Sequence, residues 1–260
     1  MELSIIIMAG GLGKRMQSDL PKVLHLVKNQ PMIVRVLIQA LLLNPTKIMI
    51  VVGKFREIIE TTINKYMNIN KDLIIYVDQP IPMGTGHAVA CCIPHLNNLS
   101  SSIKILILSG DVPLLTKNTM KSFHDSIIQS NINCGIMTTS YKNPSGYGRI
   151  IKDSNGQFIK IIEEKDCNDE QKLIQETNCG TYIIQNKYLL QYLPMLTCNN
   201  AQNEYYLTDI IGLIREFEKI TILTYNIPPE LQYQLNGVNT KAQLDELNSI
   251  YSQILITINN

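Results

Sequence analysis

Near the amino terminus, the stretch GGLGKRMQSDLPK places Gly10, Gly11 and Gly13 ahead of Lys14, Arg15 and Lys22. Glycines let backbone N–H groups approach an anion closely, and the cations beyond them would supply charge to a polyphosphate. An ordinary glycine turn flanked by solvated cations fits these residues equally well. The two commonest phosphate motifs are excluded. A dinucleotide fingerprint needs a third glycine and an acidic residue about 20 positions on, whereas Met16 follows here and Asp19 lies too close. A P-loop needs Ser or Thr after GK, and Arg15 occupies that position. Further along, Asp111 follows an apolar run through Ser109 and Gly110, which sets a carboxylate at a strand's carboxyl end. Such a group either caps a turn or, with substrate phosphates, holds a magnesium ion. Gly84, Thr85 and Gly86 precede a predicted helix, where free amides meet a ligand or serve only as a cap.

Positioning these groups requires a sheet. Strand-like runs over 3–9, 47–52, 73–77, 103–108 and 133–140 alternate with helix-length segments over 32–43, 55–66, 87–96 and 117–130. That alternation predicts an α/β fold with a doubly wound, largely parallel sheet. From about residue 147 the pattern turns hairpin-like: runs over 148–152 and 158–163 flank the turn tetrapeptide DSNG. Another strand is expected over 180–184 and a last helix over 241–254. No linker or internal repeat divides the chain. The sequence therefore predicts one domain over 1–260, with a β-rich insertion in its second half above the sheet's carboxyl edge, where ligands of such sheets bind.

The bulk properties exclude other classes. A net charge of +1 over 260 residues argues against nucleic-acid binding, so any attraction for anions is local. Apolar runs are strand-sized and far short of a membrane span. The amino terminus does not resemble a secretory signal. Six cysteines without a CxxC pair indicate free thiols rather than a zinc site or disulfide framework, and with these features predict a cytoplasmic protein.

The segment MAGGLGKRMQSDLPK closely resembles the LxxGxGTxM…PK signature of the sugar-1-phosphate nucleotidyltransferases. The segments DQPIPMGTGHAV, SGDVPLL, GYGRI, IEEKD, QETNCGTY, NAQNEYYLTDII and GVN then follow in family order across nearly the whole chain. They resemble one branch, the uridyltransferase domain of the bacterial bifunctional N-acetylglucosamine-1-phosphate enzymes. The resemblance implies a Rossmann-like nucleotide-diphospho-sugar transferase fold, with a nucleotide-binding half over 1–140 and a sugar-binding half over 141–240. It also implies Mg²⁺ as cofactor and UTP with N-acetylglucosamine 1-phosphate as substrates.

Uniting two polyanions needs cations between them, since unit charges ~4 Å apart repel by about 4 kcal/mol at an effective dielectric of 20. By resemblance, Arg15 and Lys22 contact phosphates, and the arginine fork suits the oxygens of a leaving pyrophosphate. The implied nucleotide contacts also include Met8, Ala9, Gly10, Gly11, Gly13 and Gly110. Gln79 and Gly84 would lie against uracil and Thr85 towards the sugar. Asp111 and Asn239 would hold Mg²⁺; Asn239 rests wholly on the resemblance. Gly148, Glu163 and Asn178 match sugar-binding positions, and Glu204 and Tyr206 match residues that close around the N-acetylated sugar. His87, whose neighbours supply no base or metal partner, is read as structural. The chain departs from the pattern at Lys14, where the family usually has Thr, and at Ser109, where relatives often have Tyr beside the sugar. It also lacks the hexapeptide repeats of the bifunctional enzymes, so acetyl transfer is not expected and their trimer is not carried over.

Overall fold

A computed structural model describes residues 2–11 and 13–259, apart from the side chains of Lys14 and residues 255–259. In chain order, β1 (Leu3–Met8) leads through a small ribbon, β2 (Leu26–Val27) and β3 (Gln30–Pro31), to α1 (Met32–Leu41) and β4 (Ile48–Val52). Next come α2 (Arg56–Tyr66), β5 (Ile74–Asp78), α3 (Thr85–Ala90), α4 (Ile93–Leu96) and β6 (Lys104–Ser109). There follow α5 (Lys117–Gln129), β7 (Cys134–Ser140), β8 (Arg149–Lys152), β9 (Phe158–Ile162) and α6 (Asp169–Lys172). The order closes with β10 (Glu176–Gln185), α7 (Asn186–Tyr192), α8 (Leu207–Glu218), β11 (Leu223–Asn226) and α9 (Lys241–Asn259).

The main sheet runs β11-β7-β10-β6-β1-β4-β5. β1 is parallel to both β4 and β6, and β4 to β5. Continuous apolar runs suit such strands because both faces are covered. Ile5 and Ile7 point into one core and Ile6 into the other, all three fully buried. Burying each contributes roughly 1.5–3 kcal/mol. From β1 the chain winds outward to β4 and β5, then returns to β6 on β1's other side. The strand order therefore reverses between β1 and β6, the place where open α/β sheets form their ligand crevice. Gly110 N–H donates to Met8 O at 2.9 Å there, closing the strand ends together.

β10 is antiparallel to both neighbours, β6 and β7, so the sheet is mixed but mostly parallel. The strand expected over 180–184 is thus ten residues long and lies inside the main sheet. The β-rich addition is the β8–β9 hairpin, joined to β10 where Thr177 faces Arg149. The helix expected over 87–96 is split into α3 and α4. Pro94 stands in the first turn of α4, where its missing N–H does no harm. β2, β3, α6, α7, α8 and β11 lie outside the elements expected from the sequence, although α8 buries Leu207, Ile210, Ile211 and Ile214 at helical spacing. The terminal helix expected over 241–254 extends to Asn259. It covers a third core of Met16, Val27, Met32, Leu114, Val238 and Leu247. No helix among the described residues is long and apolar enough to cross a membrane.

Candidate active site

A cleft of about 920 Å³ opens at the β1/β6 reversal. Its floor is the end of β1 and the glycine turn: Met8, Ala9, Gly10, Gly11 and Gly13, with Arg15 beyond. Gly13 has φ 59°, and a Cβ there would stand 2.7 Å from Lys22 Cβ. Only glycine lets the turn lie against Lys22 in this left-handed conformation. Arg15 is exposed and, among the described residues, makes no hydrogen bond or ion pair. It is free to meet a ligand's oxygens. The Lys14 side chain lies outside the described residues.

Asp111 and Asn239 come together on the cleft wall although 128 positions separate them in the sequence. Val238 N–H donates to Asp111 O at 3.0 Å, which pins the GVN loop to the end of β6. A capping box then fixes the start of α9. Gln243 Oε1 accepts from Thr240 N at 3.1 Å, and Gln243 N donates to Thr240 Oγ1 at 3.2 Å. Asn239 N donates to the same Gln243 oxygen at 2.8 Å. The Lys22 ammonium sits between the two side chains, pairing with Asp111 Oδ2 and donating to Asn239 Oδ1 at 2.9 Å. One carboxylate and one amide oxygen converging on one cationic group are hard donors that suit a divalent cation completed by substrate phosphates. No cluster of three or more His, Cys, Asp or Glu among the described residues could hold a metal.

On the adjoining wall, Gln79 is buried with its Nε2 donating to Gly84 O at 3.1 Å and lying 3.2 Å from His87 Nδ1. His87 therefore has a partner that its immediate sequence neighbours did not suggest, in contact with the Gln79 amide. Gly84 has φ 103°, and a Cβ there would stand 2.6 Å from Tyr205 O. This contact brings the 200–206 loop onto the start of α3. Gly86 N donates to Tyr205 O at 2.7 Å, and Thr85 Oγ1 accepts from Leu207 N at 3.1 Å.

The far wall is acidic. Glu163 Oε1 accepts from Thr208 Oγ1 at 3.0 Å. Burial pushes its carboxyl above the usual range, and the nearby Asp209, Asp166 and Glu204 charges push it the same way. Behind it, the fully buried Arg149 pairs with Glu164 at 2.6 Å and donates to Tyr147 O, holding the turn that follows β9. Asp166 in that turn accepts from Ala201 N at 2.9 Å and from the Tyr206 hydroxyl at 3.2 Å. Two separate segments are thereby latched into one wall carrying Glu163, Glu164, Lys165, Gln202 and Glu204.

Most residues singled out in the sequence line this cleft, Ser109 and Thr85 among them. Gly110, Gly148, Asn178 and Tyr206 stand behind its surface. Asn178 sits at the β10 bulge, donating to Tyr182 Oη at 2.7 Å and accepting from Gly180 N at 3.1 Å. A Cβ on Gly148 would lie 3.4 Å from Glu163 Oε2, so Gly148 leaves room for that carboxylate. Sequence reasoning missed Lys165, Gln202 and the latch through Asp166; Lys165 and Asp166 belong to the charged run EEKD, which by itself reads as a solvated face, and Gln202 carries no signal of its own.

Residues 4–221 match the nucleotidyl transferase family. This chain belongs to that family. A probable UDP-N-acetylglucosamine pyrophosphorylase of Acanthamoeba polyphaga mimivirus is 42% identical over 249 residues, covering 96% of this chain and 96% of that protein. The bifunctional protein GlmU of Neisseria meningitidis serogroup C is 39% identical over 249 residues, covering 96% of this chain and 51% of that protein. This nucleotidyl transferase thus spans about half the length of the GlmU relatives it matches. The resemblance drawn from its motifs agrees with both names. Among solved structures, UDP-glucose pyrophosphorylase complexed with UDP-glucose superposes with TM-score 0.76 at 16% identity, over 97% of this chain and 99% of that chain. A putative glucose-1-phosphate thymidylyltransferase from Bacillus anthracis gives 0.73 at 19% identity, over 95% and 94%. At such identity they establish the shared nucleotidyl transferase fold.

Proposed function

We propose that this nucleotidyl transferase makes UDP-N-acetylglucosamine and pyrophosphate from UTP and N-acetylglucosamine 1-phosphate, in the cytoplasm. The observation that carries the reading is the convergence of Arg15, Lys22, Asp111 and Asn239 beside the glycine turn, facing the hydrogen-bonding wall of Glu163 and Glu204. The printed names of the two relatives at 42% and 39% identity support the substrates.

In this reading the triphosphate lies along the Gly10–Gly11–Gly13 turn, whose amides and Arg15 meet its β- and γ-phosphates. Gln79, oriented by His87, offers its amide to the base. The sugar ring lies against Glu163 and Glu204, its phosphate turned towards Lys22. A phosphate oxygen of the sugar attacks the α-phosphorus in line, and the bond from that phosphorus to the bridging β-oxygen breaks. Pyrophosphate leaves with the electron pair. No general base is needed because the nucleophile is already ionised, so positioning and electrostatics carry the rate. Asp111 and Asn239 would hold Mg²⁺, whose charge there neutralises the α-phosphate. Arg15 stabilises charge growing on the departing pyrophosphate.

Ser109 favours a second reading, the same transfer to a less selectively bound sugar phosphate, because its small side chain stands on the cleft wall. Pyrophosphate release with Mg²⁺, scanned over four nucleoside triphosphates and the 1-phosphates of N-acetylglucosamine, N-acetylgalactosamine, glucose and mannose, separates the two. Release confined to UTP with N-acetylglucosamine 1-phosphate is the expected result. Release with several sugars supports the looser pocket, and none with any pair overturns both readings.

A further inference from the structure

The Lys22 ammonium occupies the position that the metal reading assigns to a cation, in contact with both Asp111 and Asn239. Two positive groups cannot share that oxygen pair at contact distance. Lys22 is also poorly placed to leave by moving its backbone. Its Cβ lies against Gly13, it opens the short turn Lys22–Leu24, and Val23 and Leu24 behind it are buried in the core. Its flexible four-carbon stem is the part able to move. From that fixed base the neighbouring surface is the glycine turn, where the triphosphate is placed.

We infer that Lys22 is a built-in competitor of the divalent cation: metal loading displaces its ammonium from Asp111 and Asn239 and delivers it to the phosphates. The inference rests on the proposed role of Asp111 and Asn239. In the free enzyme the ammonium keeps both oxygens paired and holds metal affinity down. When the cation arrives, the released ammonium becomes an additional phosphate ligand, so metal and nucleotide each strengthen the other's binding. Such coupling is reciprocal by linkage. Lys22 thus has two successive positions, one for each state of the cleft.

The test is Mn²⁺ binding to the nucleotide-free enzyme at one fixed pH, read from the free-Mn²⁺ electron paramagnetic resonance signal. It compares the wild type with Lys22→Met, Lys22→Gln and Asp111→Asn, each first shown folded by thermal melting. Removing the ammonium is expected to tighten Mn²⁺ binding about tenfold in both Lys22 variants, since a like charge has left contact range. Asp111→Asn is expected to abolish binding. Affinity unchanged or weakened in both Lys22 variants, with binding still lost in Asp111→Asn, overturns the exchange and leaves the metal reading intact. Binding that survives Asp111→Asn overturns the metal reading and the exchange with it.

Discussion

Arg15 and Lys22 are both cations of the cleft, but the chain holds them differently. Arg15 projects from a short turn without a protein partner among the described residues, whereas Lys22 is engaged by two oxygens. Arg15→Ala should therefore leave the fold untouched and lower kcat by about a hundredfold or more, the range for losing one group that stabilises transition-state charge. Binding of N-acetylglucosamine 1-phosphate should change little; calorimetry beside steady-state rates measures both, and equal kcat would return the turn to a bland glycine loop. Asp111→Asn should nearly abolish turnover even at high Mg²⁺, and retained activity would remove Asp111 from the metal site. Glu163 gives a pH prediction. Its carboxyl is raised in the folded protein by burial first and then by neighbouring carboxylates. The folded state therefore holds the proton more tightly than the unfolded chain does. Stability falls as pH rises from the unfolded value, about 4.3, towards the raised folded value, and the penalty stays above it. Glu163→Gln should raise Tm at pH 8, with the gain disappearing below about pH 4, while turnover with the sugar phosphate drops. A pH-independent Tm difference would contradict this account.

At the scale of elements, the acidic wall is assembled by the latch between the turn after β9 and the loop before α8. Asp166 holds Ala201 N and the Tyr206 hydroxyl, while Arg149 holds Glu164 from behind. Asp166→Ala should release the loop that carries Gln202 and Glu204. The expected outcome is a KM for the sugar phosphate raised about tenfold or more, the scale of losing one charge-assisted hydrogen bond, with KM for UTP nearly unchanged. Equal shifts in both would mean that Asp166 supports the whole cleft. This latch explains how far the sequence could be read. The alternation of runs over 3–9, 47–52 and 103–108 exposed the parallel strands because burial on both faces demands continuous apolar residues. The bulged β10 interrupts its apolar run with Asn178 and Gly180, so only its second half was legible. α8 is legible in its i, i+3, i+4, i+7 spacing of Leu207, Ile210, Ile211 and Ile214, although the motif NAQNEYYLTDII runs across its start and masks that period.

Over the whole molecule, the first and last segments meet beneath α9. Asn248 accepts from Lys28 N at 2.7 Å, Arg35 lies over the Tyr251 ring at 4.1 Å, and Leu247 is buried in the third core. Both segments carry cleft residues, Lys22 at one end and Asn239 at the other. Leu247→Ala should destabilise the fold by about 2–4 kcal/mol, as large-to-small changes in a packed core do. It should also weaken Mn²⁺ binding in the nucleotide-free enzyme, because the capping box that fixes Asn239 belongs to the same helix. Denaturant titration and metal binding together check this; a stability loss with unchanged metal affinity would separate α9 from the site.

Residue type and spacing were enough to predict the largely parallel, doubly wound sheet, the glycine turn at the end of β1 and the carboxylate at the end of β6. These depend on side-chain type and spacing within one element or one turn, where period and turn chemistry act locally. Motif order across the chain determined the family. Tertiary structure alone decided which residues meet: Lys22 between Asp111 and Asn239, His87 against Gln79, and Asp166 across to the 200–206 loop. The first and last of these contacts join positions far apart in the chain, His87 and Gln79 meet across an irregular loop, and no local preference encodes any of them. They exist because the three cores bury their apolar faces and bring the strand ends and loops to one edge.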